Sequence, residues 1–346
     1  MNLNDFDYEL PEEFIAQEPC KPRDHSKMMV VCGVDNTSKL NSNVEIEHKK
    51  FYELIDLLHK GDVLVLNETK VSRRKIFGKK STGADLELVL GDKKTELVYE
   101  CRIKVHRPRI GTKLVFEDGL SCVILEQKDD MFTVEFNKDP ELVIEKIGVL
   151  PTPPYIKQNV DENDYQTSYS NAEKSKSLAA PTAGLHFTQE ILNSLKKKGI
   201  RIVKICLHVD YGTFVSIRGK IEDHKMHSEW FEIDQNAADL INNCIGRLIC
   251  VGTTTLRSLE SANYDCAGKI MPTTKKTDIF IYPGYKFKSK TDLLLTNFHL
   301  PKSTLLLLVS AFSVREIILN AYEIAKEKKY RFFSLGDCML ISKQKK

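Results

Sequence analysis

Apolar and polar positions along the chain follow two rhythms. From Lys49 to His59, Phe51, Leu54, Ile55 and Leu58 recur at helical spacing, and Gly61 is placed to end a helix. Val63-Leu64-Val65-Leu66 is a short apolar run that suits a buried strand. From about residue 68 the period shortens to two. Tyr99, Cys101, Ile103 and Val105 alternate with Glu100, Arg102 and Lys104, and Phe132, Val134 and Phe136 alternate with Thr133 and Glu135. Gly-Asp, Asp-Gly and Lys-Asp-Asp turns separate these runs, which predicts an all-β module, a small barrel. Leu150-Pro151-Thr152-Pro153-Pro154 breaks the pattern and marks a boundary. After it, strands and helices mix. Ile191, Leu192 and Leu195 predict a helix between Thr188 and Gly199, and Arg201 to Val209 reads as a strand. Asp234 is placed to cap a helix carrying Ala237, Ala238, Leu240 and Ile241, while Leu248 to Val251 suits a buried strand. Ile317, Ile318, Ala321, Tyr322 and Ala325 share one helical face. The expected architecture is multidomain: a mixed α/β or α+β body formed by both chain ends, residues 1–67 plus 151–346, with an all-β barrel-like domain, residues 68–150, inserted.

Composition narrows the class. Apolar residues make up 42% and charged residues 29%, the profile of a soluble globular protein and not of a disordered one. The nine cysteines include no C-x-x-C pair and are odd in number, which disfavours a disulfide framework or zinc ribbon and fits reduced thiols in the cytoplasm. Met1 to Asp5 has no basic region followed by an apolar run, so no secretory signal is expected. Leu305 to Phe312 is too short to span a bilayer and reads as a buried helix. Net charge is only +3, but its distribution is uneven. Residues 70–113 hold thirteen Lys/Arg against five Asp/Glu, residues 114–145 two against nine, and residues 326–346 seven against two. Basic patches of this kind attract a polyanion, although solvated surface charge accounts for them equally well.

No Walker loop, no G-x-G-x-x-G after a strand and no H-E-x-x-H occurs. Candidate chemistry gathers instead in six polar stretches of the second half. In Ala179-Ala180-Pro181-Thr182-Ala183-Gly184-Leu185-His186-Phe187, small residues let backbone approach a ligand, and Gly184 permits a positive φ. His208-Val209-Asp210-Tyr211-Gly212-Thr213-Phe214 comes directly after a strand, where His208 either serves a site or is a satisfied core histidine. In His224-Lys225-Met226-His227-Ser228-Glu229-Trp230, a strand would set His227 and Glu229 on one face, an arrangement that suits acid–base chemistry. A metal would need further ligands. Val251-Gly252-Thr253-Thr254-Thr255-Leu256-Arg257-Ser258-Leu259-Glu260 places donors at the carboxyl end of a strand. Helix capping by the threonines and an Arg257–Glu260 pair are the plainer alternatives. Thr296-Asn297-Phe298-His299-Leu300-Pro301-Lys302-Ser303-Thr304 leads into the apolar helix, and Phe332-Phe333-Ser334-Leu335-Gly336-Asp337-Cys338 comes last. Together they favour an enzyme without naming its reaction.

Taken with Phe6-Asp7-Tyr8-Glu9-Leu10-Pro11, Gly61-Asp62-Val63-Leu64-Val65-Leu66-Asn67-Glu68-Thr69-Lys70-Val71 and Ile281-Tyr282-Pro283-Gly284-Tyr285, these motifs resemble one family closely. That family is the S-adenosylmethionine:tRNA ribosyltransferase-isomerases of queuosine biosynthesis. The resemblance runs along almost the whole chain and is weakest in the β module. Departures include Asp210 for a usual glycine, Glu68 for Asp, Ala84 for a second glycine, and Leu335 and Cys338 for Tyr and Ala.

The resemblance implies transfer and isomerisation of the ribosyl part of S-adenosylmethionine onto 7-aminomethyl-7-deazaguanine at the wobble position of a tRNA with a GUN-type anticodon. The products are epoxyqueuosine in tRNA, adenine and methionine. It implies no metal or redox cofactor, no membrane and a monomer in the cytoplasm. Histidines near neutral pKa suit the proton steps. On this basis His186, His208, His227 and His299 are expected to line one pocket, with Glu229 orienting an imidazole. Thr182, Thr253, Thr254 and Asn297 are expected on donor hydroxyls or adenine edges, and Gly184, Thr213 and Asp337 also at the substrate. Arg257 or Lys302 would meet the methionine carboxylate. Arg73, Arg74, Lys75, Lys104, Arg107 and Arg109 are expected on tRNA phosphates. The rival readings are a catalytically inactive RNA-binding factor and an S-adenosylmethionine-dependent RNA methyltransferase.

Overall fold

The computed structural model describes residues 1–31, 45–128, 130–153, 155–158, 160–210, 217 and 219–344. Two compact units emerge: residues 1–70 with 153–346, and residues 71–152.

The larger unit is built on a nine-stranded mixed sheet. At its centre Arg201–Leu207, Val63–Asn67, Leu248–Val251 and Thr291–Asn297 lie side by side and parallel. Val63–Asn67 and Leu248–Val251 are buried throughout, because both sheet faces are covered. Alternation still sorts their side chains: Val63, Val65, Leu248 and Cys250 join one core, Leu64, Leu66, Ile249 and Val251 the other. Cys338–Ser342 runs antiparallel to Thr291–Asn297 and parallel to Lys27–Val31. Four segments therefore reach one sheet edge as strands end: those after Asn67, Leu207, Val251 and Asn297. The segments before Lys27 and Cys338 arrive at the same edge as strands begin.

Helices cover the sheet where the periodicity places them. Gln189–Lys197 is capped by the Thr188 hydroxyl, which accepts from the Ile191 N–H, and ends before Gly199 at φ +89°. Gln235–Asn242 is capped by Asp234, whose carboxylate accepts from Ala237 N–H at 2.7 Å. Thr304–Phe312 is the expected buried helix, capped by Ser303, and Arg315–Glu327 buries Ile318, Ala321, Tyr322 and Ala325. The element expected over 49–59 is shorter. Lys49 and Lys50 belong to the Ile46–Lys50 strand, leaving a 3-10 turn at Phe51–Glu53 and one helical turn at Leu54–Leu57. Among the described residues no single helix is long and apolar enough to cross a membrane.

The smaller unit is a closed six-stranded antiparallel barrel. Tyr99, Cys101, Phe132, Val134 and Phe136 point into its core, as their alternation predicts. It is not purely β, however. Pro140–Ile147 is a helix that adds Val143 and Ile144 to the barrel core. Its start carries the usual signals: Asp139 accepts from Glu141 N–H at the cap, and Pro140 opens the first turn.

Candidate active site

A cavity opens at the sheet edge where the parallel strands end. This is the general ligand position of parallel α/β sheets. Gly252, Thr253 and Thr254 reach it from the Leu248–Val251 strand, and Thr296, Asn297, Phe298 and His299 from the Thr291–Asn297 strand. Thr182, Ser303, Tyr155, Phe333 and Ser334 close other sides. Five expected site residues thus meet on one wall system: Thr182, Thr253, Thr254, Asn297 and His299.

Local structure explains their presentation. Gly252 takes φ +88° so that the strand can turn at once into the Thr253–Ser261 helix. No side chain caps that helix, so Thr253 and Thr254 are not there for capping. Thr255 and Ser258 instead bond back to the Val251 and Thr254 carbonyls. Gly184 does not use a positive φ. It sits in a 3-10 turn where an added Cβ would lie 2.0 Å from the Tyr169 hydroxyl, so close packing is what requires glycine.

The histidines separate. His299 lines the cavity; its Nε2 lies 2.9 Å from the Thr296 hydroxyl, its N–H donates to Tyr322 and its carbonyl accepts from Tyr8. His186 lines a smaller adjoining cavity that shares Ser334. Its Nδ1 is 2.8 Å from the Ser26 hydroxyl, and its ring stacks on Phe51. Burial lowers His299 to about 3. Burial lowers His186 to about 3 as well, helped by Arg331 and Arg23 and opposed by the Asn297 amide beside it. The expectation of imidazoles near neutral pKa therefore fails for these two. Desolvation penalises the cation, and each ring is neutral at physiological pH. His208 and His227 line neither cavity. His208 stacks on Trp230 with its Nδ1 2.8 Å from the Thr69 hydroxyl, and His227 is half-buried just before the Glu229–Ile233 strand.

The charged candidates are committed elsewhere. Glu229 forms a buried ion pair with Arg257 and accepts from the Asp210 N–H at 3.0 Å, so its oxygens meet a guanidinium and backbone in place of an orienting role on an imidazole. Arg257 does not pair with Glu260, which instead gathers donors from Tyr285, Lys288 and Ser289. Lys302 pairs with Asp7 at 2.7 Å. Asp337 ties Lys27 N–H to Arg331 N–H and holds two chain segments together. Thr213 lies outside the described residues. In the barrel unit, Arg74 forks onto Glu141 and Lys75 pairs with Glu87, whereas Arg73, Lys104, Arg107 and Arg109 are exposed. Among the described residues no group of three His, Cys, Asp or Glu could hold a metal ion.

Sequence reasoning assigns no role to Tyr155 or to the Phe333–Ser334 pair. Tyr155 comes directly after the proline cluster, whose pattern signals only a boundary, and nothing local links it to the strand ends.

Known proteins match this arrangement along its length. The family model described as "Queuosine biosynthesis protein" matches residues 3–341. A relative from Fusobacterium nucleatum named S-adenosylmethionine:tRNA ribosyltransferase-isomerase is 46% identical over 98% of this chain and 96% of its own. Another of that name from Finegoldia magna is 43% identical over 99% of both chains. A crystal structure of an S-adenosylmethionine tRNA ribosyltransferase from Thermotoga maritima is 34% identical, covers 97% of this chain and 99% of that one, and superposes with a TM-score of 0.52. With matches of that extent, this chain belongs to the queuosine biosynthesis protein family, alongside the S-adenosylmethionine:tRNA ribosyltransferase-isomerases.

Proposed function

We propose that this chain transfers the ribosyl moiety of S-adenosylmethionine to the aminomethyl group of 7-aminomethyl-7-deazaguanine in tRNA and isomerises it. Epoxyqueuosine in tRNA, adenine and methionine are the products. The acceptor is the wobble base of a GUN-type anticodon, and the working form is a cytoplasmic monomer without a resident metal or redox cofactor. The observation that carries the reading is the convergence of Thr182, Thr253, Thr254, Asn297 and His299 on one cavity at the strand ends.

The chemistry asks for a site that tolerates a sulfonium cation and steadies sugar oxygens. A cavity walled by a neutral His299 and by threonine hydroxyls does not repel the cation. With its basicity so reduced, His299 serves better as a hydrogen-bond partner than as the group that removes the carbon-bound proton. With Arg257 on Glu229 and Lys302 on Asp7, the methionine carboxylate is left to the free N–H groups opening the Thr253–Ser261 helix. Thr253 and Thr254 supply hydroxyls beside them.

The test is to incubate the chain with labelled S-adenosylmethionine and precursor-bearing tRNA. Free adenine, methionine and a heavier nucleoside are expected. S-adenosylhomocysteine in their place would identify a methyltransferase, and tRNA binding without turnover would identify an inactive binding factor.

A further inference from the structure

Exposed apolar side chains are unevenly distributed. Of the ten large ones exposed among the described residues, six belong to the barrel unit: Phe77, Ile110, Val115, Leu125, Leu142 and Val149. Single exposed apolar residues are ordinary, but several on one face are not. Register puts Phe77 and Val115 on one face. The Lys75–Lys80 and Lys113–Phe116 strands run antiparallel, with Gly78 opposite Phe116 and Lys79 opposite Val115. Phe116 fills the core over Gly78, where a Cβ would lie 2.5 Å from its ring. Ile76, Leu114 and Phe116 are buried, so alternation turns Lys75, Phe77, Lys79, Lys113 and Val115 outward. The Phe77 side chain is left 55% exposed.

That outer face is apolar and basic at once. The two strands carry three outward lysines and no carboxylate. Glu87 and Asp85 come from the neighbouring Asp85–Lys93 strand and stand 3.4 Å from Lys75 and 3.9 Å from Lys79. The second pair lies mostly in solvent, so it neutralises Lys79 only weakly. The loop that leads into the Lys113–Phe116 strand extends the face. Lys80 Nζ donates to the His106 and Arg107 carbonyls at 3.2 and 3.3 Å, and Gly111 N–H donates to the Ile124 carbonyl at 2.8 Å. Pinned on both sides, the loop presents Arg109 and Ile110 to solvent. An aromatic ring set among cations suits a partner with flat faces and a repeating negative charge.

We infer that this barrel face binds an unpaired stretch of the tRNA, with one base stacked on Phe77 and phosphates on Lys79, Lys113 and Arg109. This rests on the proposal that tRNA carries the acceptor base. Paired RNA hides the faces of its bases, so the ring favours a single strand where charge alone would not. A second copy of the chain fits the face poorly, because a symmetric contact would set lysines against the same lysines.

Fluorescence anisotropy with three labelled probes tests the inference: tRNA, an unstructured oligoribonucleotide, and a blunt RNA duplex of the same length. The duplex carries more phosphates, yet the unaltered protein should bind the single strand roughly fivefold or more tightly. Phe77→Ala should weaken single-strand binding roughly five- to a hundredfold, the range for loss of one base–aromatic stack, and leave its salt slope unchanged. Phe77→Tyr keeps the ring and should restore binding. Lys79→Gln and Lys113→Gln should each lower the salt slope by roughly 0.7. Circular dichroism reports the fold of each variant, and the comparison of single strand with duplex needs no variant. If tRNA does not bind at all, the acceptor reading itself fails. If tRNA binds, yet the duplex matches the single strand or Phe77→Ala binds like the parent, the stacking face alone is overturned. Sedimentation showing a dimer that Phe77→Ala dissociates would overturn it too, by giving the face to a second copy of the chain.

Discussion

At the scale of single residues, burial decides what each candidate group can do. His186 and His299 have ordinary imidazoles in the unfolded chain and depressed ones, about 3, in the folded protein. The stability gained by keeping them neutral is fully present above pH 6.5 and is lost as pH falls through about 3, because the unfolded state takes up protons first. Urea midpoints should therefore drop across that window, and His299→Gln should flatten the dependence by about one proton. A slope unchanged by the substitution would show that His299 titrates as an exposed imidazole. The Glu229–Arg257 pair makes a second case. Both side chains are 2% exposed, so removing one partner strands a charge in a dry interior. Glu229→Gln should cost roughly 3–5 kcal/mol in chemical denaturation, and Glu229→Leu combined with Arg257→Met should recover most of it. Neither effect is legible in the sequence. A histidine or an Arg-x-x-Glu spacing looks the same at a surface and in a core, and Arg257 takes its partner from a distant strand.

At the scale of elements, much is legible because helices and strands carry their own periodicity and punctuation. Thr188, Asp234 and Ser303 each cap the helix their position announces. The Pro140–Ile147 helix is hidden because eight residues directly after a short strand give the helical period little length to show itself. The Thr182–Gly184 turn illustrates what an element inherits from its neighbours. Gly184 is held against the Tyr169 hydroxyl, which has no hydrogen-bond partner among the described residues. Gly184→Ala should destabilise by about 1–3 kcal/mol through that clash. Tyr169→Phe should cost little alone, and combined with Gly184→Ala it should relieve part of the loss, as thermal melts of the three variants would reveal. Equal loss with and without the hydroxyl would place the cause elsewhere.

At the scale of the whole molecule, charge and topology take over. The barrel unit presents Lys104, Arg107 and Arg109 to solvent, while Arg74 is occupied by Glu141. If the exposed three meet tRNA phosphates, Arg107→Gln and Arg109→Gln should each lower the salt slope of tRNA binding by roughly one. Arg74→Gln should lower stability in preference to that slope. An unchanged slope in the first two would remove this face from the RNA contact.

The six polar stretches of the second half are scattered over more than a hundred residues, yet a single rule gathers three of them. Parallel strands end together, so the segments leaving Val251 and Asn297 share one edge with the segment leaving Leu207.

The sequence by itself determined the periods, the caps, the barrel-like β module with its alternating core, and the motif set that marks the family. These are local or near-local properties, set by side-chain spacing and backbone preference. Tertiary structure alone decided that Tyr155 and Phe333 stand beside Asn297, that Glu229 serves Arg257, and that two histidines lose their charge. Each depends on which distant residues exclude water and supply partners, and chain order carries no record of that.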